Sequence, residues 1–241
     1  LSAGNAVLIA DTGPPPKGIL SSQAHAGCLS FELSSGANCF IVNAGAPVIS
    51  HTPYADFARM TAAHSTVTLD DRSSLSFSHS PFLGPIVTGG VRRVTVRPLD
   101  EEGKHQGFDA THDGYAGNLK LLHRRKIRML SSGHEVQGRD QITRPDESDP
   151  DPENRTVAVA RFHVHPTISV QQDEDGVIHL TAGDGETWAF VGRDLKPQIE
   201  EDVYFADLAG ARTSKQITME FAVGQRSQID WKLIRTTLPR A

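Results

Sequence analysis

The chain has 241 residues, of which 38% are hydrophobic and 22% charged, with a formal net charge of -5. This is the composition of a globular domain long enough to bury a sizeable core. It argues against a nucleic-acid partner, because no basic cluster offsets the negative charge, and no stretch approaches the ~20 apolar residues of a membrane-spanning helix.

Leu1 to Ala10 has neither the basic start nor the long apolar core of a signal peptide. The first residue is Leu, so the sequence is expected to be an excised fragment. Leu29, Phe31 and Leu33 alternate with Ser30, Glu32 and Ser34, the pattern of a half-buried strand. A turn at Ser34-Ser35-Gly36-Ala37-Asn38 leads into a second strand at Phe40-Ile41-Val42. One short helix is predicted over Tyr54 to Thr61, with Thr52 as N-cap and Pro53 at the first helical position. Strands follow at Val67 to Leu69 and Val91 to Val96. In Ala110-Thr111-His112-Asp113-Gly114-Tyr115, the Asp-Gly pair predicts a turn that leaves His112 and Tyr115 at an exposed loop tip.

A long strand is predicted over Leu119 to Leu130. Its odd positions place His123 and Arg125 on the same row as Leu, Ile and Met. A charge on a core-facing row must be paired or must line a cavity. Arg125 is therefore read either as a bidentate contact for a substrate carboxylate or as half of a structural ion pair. Arg144 to Asn154 reads as a solvent loop, since Pro145, Pro150 and Pro152 cannot sit in central strands. The remaining strands are Thr156 to His165, Val177 to Leu180, Trp188 to Val191, Gln216 to Val223 and Ile229 to Ile234. His163 and His165 share one face with Arg161, in a structural role or as two ligands of a metal. Many short strands with turn chemistry between them imply an all-β fold, a large two-sheet antiparallel β-sandwich with little helix. Cys28 and Cys39 flank the first hairpin too far apart to bridge, so both are expected to be free thiols, which leans towards a reducing compartment.

Three stretches resemble a known family. They are Gln23-Ala24-His25-Ala26-Gly27-Cys28-Leu29-Ser30-Phe31-Glu32, then Ile41-Val42-Asn43-Ala44-Gly45, then Arg59-Met60-Thr61-Ala62-Ala63-His64-Ser65-Thr66-Val67. Together they are similar to the opening of the C-terminal β-domain of heparinase II/III-like polysaccharide lyases. The family runs are His-x-His-Ala-Asp, a Val-Asp-Pro-Gly-like strand, and a His-Asn/Ser-Thr-Val strand start. The Ala110 to Tyr115 stretch and the His123-Arg124-Arg125 strand also resemble family segments.

The resemblance implies one domain over residues 1–241, with the family's N-terminal helical toroid lying outside this chain. It implies β-elimination on an acidic, uronate-containing polysaccharide, with that toroid as partner and a periplasmic location. Position 23 corresponds to the family's catalytic His, and His25, Asn43 and His64 to its zinc ligands. His112, Tyr115 and Arg125 become candidate substrate contacts. The departures are Gln23 for His, Gly27 for Asp and Asn43 for Asp. Gln cannot transfer a proton near neutral pH, and zinc favours imidazole, thiolate or carboxylate ligands over an amide. The expectation is a domain that completes a lyase cleft without turning over substrate alone. The alternative is a non-catalytic carbohydrate-binding or structural module.

Overall fold

A computed structural model describes residues 1–47 and 54–239. In chain order its strands are β1 (Ser2–Ala3), β2 (Ala6–Ala10), β3 (Phe31–Ser35), β4 (Asn38–Val42), β5 (Val67–Leu69) and β6 (Leu75–Phe77). Next come β7 (Val87–Gly90), β8 (Val94–Pro98), β9 (His105–His112), β10 (Leu122–Leu130), β11 (Glu135–Thr143) and β12 (Val157–Val164). The last are β13 (Ser169–Gln172), β14 (Ile178–Thr181), β15 (Thr187–Gly192), β16 (Gln198–Tyr204), β17 (Arg212–Ala222) and β18 (Gln228–Thr237). Among the described residues helical structure is confined to α1 (Ala55–Ala58), α2 (Ala116–Leu119) and 3-10 turns at Gly18–Gln23 and Thr61–Ala63.

Two large antiparallel sheets carry the fold, as the strand-rich sequence predicts. The first runs β1-β2-β3-β4-β12-β17-β16, with β5 also pairing β12; the second runs β13-β14-β15-β18-β11-β10-β9-β8. Their inner faces meet in one apolar core. At its centre Trp231 stacks on Phe31 at 5.3 Å between ring centroids and meets Phe162 edge-on at 4.9 Å. Each such fully buried side chain contributes roughly 1.5–3 kcal/mol over leaving it exposed. The indole fits because β11 carries Gly138 opposite it, where a Cβ would lie 2.0 Å from the ring.

The structure shifts several predicted boundaries. The predicted helix over Tyr54 to Thr61 divides into α1, with Tyr54 at its N-cap, and the 3-10 turn that follows. Thr52 and Pro53, its predicted start, lie outside the described residues. The strand predicted from Leu119 begins at Leu122, because residues 116–119 form α2 and Lys120 takes a left-handed φ of +58°. Residues 110–112, read as the start of a loop, are the end of β9. Cys28 and Cys39 are both free.

Candidate functional site

Three segments converge at one end of the first sheet. The 3-10 turn Gly18–Gln23 delivers Gln23 and His25, the end of β4 delivers Asn43, and the turn Thr61–Ala63 delivers His64. Hydrogen bonds stitch the segments together. Ala26 N donates to Arg59 O at 2.8 Å and Ala44 N to Ala63 O at 2.9 Å. Thr61 Oγ1 donates to Ala26 O, Ser65 Oγ to Val42 O and Thr66 Oγ1 to Cys28 O. The buried Arg59 fans across the turn, donating to Ala24 O, Ser21 O and Pro85 O at 2.8–3.2 Å.

The result is a cleft of about 370 Å³ lined by Gln23, His25, Asn43 and His64 together with Asp11, Pro14–Pro16 and Gly27. The four positions singled out by the family resemblance therefore share one cavity. Gln23 is exposed, His25 half-buried and His64 buried. The two imidazoles stand edge to face, 5.5 Å between centroids. His64 Nδ1 donates to Met60 O at 2.8 Å, which fixes its proton there and leaves Nε2 with the lone pair. Burial pushes the His64 pKa down to about 4, only partly offset by that hydrogen bond. Burial and the Arg59 charge also lower His25. Both rings are thus neutral at pH 7.

The expected metal set does not fit zinc. Asn43 Oδ1 already accepts from Ser65 N at 2.9 Å, and Asn43 Nδ2 donates to Glu32 Oε1 at 3.0 Å. The same Glu32 oxygen accepts from Asn43 N. Position 43 is thus fitted with an amide, because the adjacent carboxylate calls for a donor. What remains is two neutral imidazoles and one engaged amide oxygen, short of the four strong donors of a zinc site. Among the described residues no group of three His, Cys, Asp or Glu side chains is placed to hold a metal ion.

His112, Tyr115 and Arg125 lie elsewhere, which corrects the expectation of an exposed loop tip. They are 1%, 2% and 0% exposed. Tyr115 folds inward at the start of α2, and its hydroxyl donates to Val67 O at 2.7 Å. His112 Nδ1 accepts from Gly114 N, so its Nε2 carries the proton and donates to His123 Nδ1 at 3.3 Å. His123 Nε2 then donates to Asp140 Oδ1 at 2.8 Å. Arg125 grips both oxygens of Asp140 at 2.7 and 3.0 Å, and Trp231 Nε1 donates to Asp140 Oδ2 at 2.9 Å. This is the ion-pair alternative for Arg125; Arg125 and Tyr115 are turned into the core, while His112 forms part of the inner wall of a separate cleft with Arg93, Arg97 and Arg124. A second consequence concerns the cleft. The remaining Arg125 nitrogen crosses the sandwich to Leu29 O at 2.8 Å and Ser65 O at 2.6 Å. Those carbonyls belong to the two segments that carry His25 and His64.

His163 and His165 do not act together. His163 Nδ1 pairs with Asp202 at 2.6 Å and His165 Nδ1 with Thr167. Sequence reasoning missed Arg59, Glu32 and Asp11. Arg59 and Glu32 had a usable signal, a charge inside one of the three motif stretches; Asp11 had none.

Comparisons with known proteins bear on the family and the fold. A family model described as heparinase II/III-like, C-terminal, matches residues 1–232. FtsZ-localized protein C of Caulobacter vibrioides (strain NA1000 / CB15N) is 30% identical over 245 residues, covering 96% of this chain and 41% of that protein. The crystal structure of heparan sulfate lyase HepC from Pedobacter heparinus superposes with a TM-score of 0.74 at 14% identity, over 98% of this chain and 34% of that one. The heparinase III-BT4657 gene product follows at 0.70 and 11% identity, over 97% and 33%. The chain spans less than half the length of each of these proteins. At such identities the two structures speak to the fold.

Proposed function

The chain belongs to the heparinase II/III-like, C-terminal family, and from that premise we propose that it is the β-sandwich of a lyase acting on uronate-containing polysaccharide. It completes a substrate cleft shared with the helical portion of a longer protein and has no turnover of its own. The observation that carries this reading is the convergence of Gln23, His25, Asn43 and His64 in one cleft.

β-Elimination needs a base for the proton α to the uronate carboxylate, an acid for the leaving oxygen, and a group that stabilises the developing charge. The exposed Gln23 amide can donate a hydrogen bond to the carboxylate but cannot relay a proton. His25, neutral and half-buried, offers a ring nitrogen at the cleft wall. No tyrosine lines the cleft among the described residues. The chain's part is thus to bind and orient, and the proton-transfer groups must come from outside it. Ultraviolet absorbance of the unsaturated product tests this: the 241-residue chain is expected to be silent on acidic polysaccharides, and turnover by it alone would sink the proposal. In the full-length protein, Gln23→Ala is expected to weaken substrate binding.

The second reading is a non-catalytic module. It is favoured by the missing proton-transfer group at position 23 and by the 30% identity to a relative named for its localisation with FtsZ. Absence of turnover by the full-length protein, with oligosaccharide binding retained, would select it. The donor set at His25, Asn43 and His64 also predicts a metal content well below one zinc per chain. Elemental analysis checks it; stoichiometric zinc that disappears in His64→Ala would overturn the fit argument.

A further inference from the structure

The outer face of the second sheet concentrates positive charge on a chain that is negative overall, which corrects the expectation that no basic cluster offsets that charge: residues far apart in sequence assemble one. Strand alternation turns Arg124, Lys126 and Arg128 of β10 outward while His123, Arg125 and Ile127 face the core. The ladder then sets cations side by side. Lys126 lies opposite Arg139 of β11, and Arg128 opposite Gln137, which in turn faces Lys232 of β18. With Arg193, the Lys126, Arg128, Gln137, Arg139 and Lys232 side chains surround a cleft of about 780 Å³, whose only acidic lining residue among the described residues is Asp230. Asp230 is held in a bidentate pair by Arg139 at 2.6 and 3.0 Å, and Lys232 reaches Glu135 at 3.1 Å.

Three cations are left over. Among the described residues Lys126, Arg128 and Arg193 have no carboxylate within ion-pair distance, and Arg128 Nε is buried without a hydrogen-bond partner. Like charges directly opposite in a ladder destabilise it. On its other side Lys126 faces Asp109 of β9, which Arg124 already holds in a bidentate pair; burial and then the Arg128 charge lower the Lys126 pKa, and Asp109 offsets them only in part. An anion seated between these side chains would remove that cost and supply Arg128 with an acceptor.

We infer that this face is a second glycan site, binding a carboxylate- or sulfate-bearing polysaccharide strand across β10, β11 and β18. It shares no lining residue with the cleft of Gln23 and His64. The volume falls within the range of small-ligand clefts. Val191 and Ile234 supply apolar walls for sugar C–H faces, and Gln137 a donor and an acceptor for hydroxyls. The one aromatic at its floor, Trp231, is buried, so the bases of a nucleic acid would find no stacking platform. The choice of a glycan rests on the polysaccharide reading above.

Calorimetric titration of the 241-residue chain with a heparin-derived hexasaccharide tests the site. The double variant Lys126→Gln/Arg128→Gln is expected to bind at least about tenfold more weakly, the scale of one lost charge-assisted hydrogen bond. Arg193→Gln, outside the strand ladder, should weaken binding without touching the fold, which thermal melts verify for every variant. Gln23→Ala/His25→Ala should leave this binding in place. Binding lost in Gln23→Ala/His25→Ala but kept in the cationic variants would overturn the second site while sparing the polysaccharide reading. Equal affinity for polyphosphate of matched charge would overturn the choice of a glycan. No hexasaccharide binding at all, with turnover by the full-length protein, would sink this site alone; absence of both would sink the reading beneath it.

Discussion

Position 27 shows how closely the cleft is fitted to its own residues. A Cβ there would stand 2.6 Å from His64 Cδ2, so the imidazole occupies the space of a side chain that Gly27 does not have. Gly27→Ala is expected to push the ring off its hydrogen bond to Met60 O and to cost about 1–3 kcal/mol, as overpacking does. Urea unfolding measures the cost, and an NMR titration should find the His64 pKa displaced from about 4, since burial and the bond to Met60 O, which act on it in opposite directions, both change. An unchanged midpoint and an unchanged titration would contradict the packing argument. The convergence of Gln23, His25, Asn43 and His64 was legible in the sequence, since they share a cavity. Their chemistry was less so. The Glu32 carboxylate that engages Asn43 is eleven residues away, brought near only by the β3–β4 hairpin.

Between elements, the Arg125–Asp140 pair joins the sheets. It sits on directly opposed residues of β10 and β11, and the free end of the guanidinium holds backbone carbonyls on the far side of the core. Arg125→Met would leave Asp140 charged and buried and release Leu29 O and Ser65 O. Removing one partner of such a pair costs about 3–5 kcal/mol, and chemical denaturation should register it; a loss below 1 kcal/mol would show that the pair is dispensable. This pair also explains why β11 escaped the sequence reading. Its core-facing row is Val136, Gly138, Asp140 and Ile142, so the apolar alternation that betrays a strand is interrupted twice. β9 hid likewise, since its inner row of Phe108 and Ala110 ends in His112. The polar residues that broke the pattern are the ones that build the network. Strands with unbroken apolar rows, such as β3 and β12, were recognisable.

For the molecule as a whole, the buried histidines set the response to acid. An unfolded chain protonates His near its ordinary value of 6.5, whereas His64 in the fold does so only near 4. His112 and His123 are lowered in the same direction, chiefly by burial. Between those values the unfolded chain binds protons that the folded chain does not, so stability falls as pH drops from about 6.5 towards 4. His64 alone accounts for up to about 3 kcal/mol. Asp140 behaves differently: burial would raise its pKa, but the Arg125 charge and the His123 hydrogen bond hold it well below the carboxylate range. Its contribution is lost only as pH falls through that low value, after the histidines have acted. Urea midpoints at pH 7.5, 6 and 5 should decline steadily, and less steeply in His64→Asn; a flat profile would rule the account out. The link from Arg125 to Leu29 and Ser65 has a further meaning for engineering. It grasps main-chain oxygens, which every amino acid possesses, so this one anchor of the cleft does not depend on which side chains stand at positions 29 and 65. Gln23→His, or Asn43→Asp paired with Glu32→Gln, would enter a mount already tied down from the far sheet, and the chain can serve as a chassis for side chains of a different chemistry.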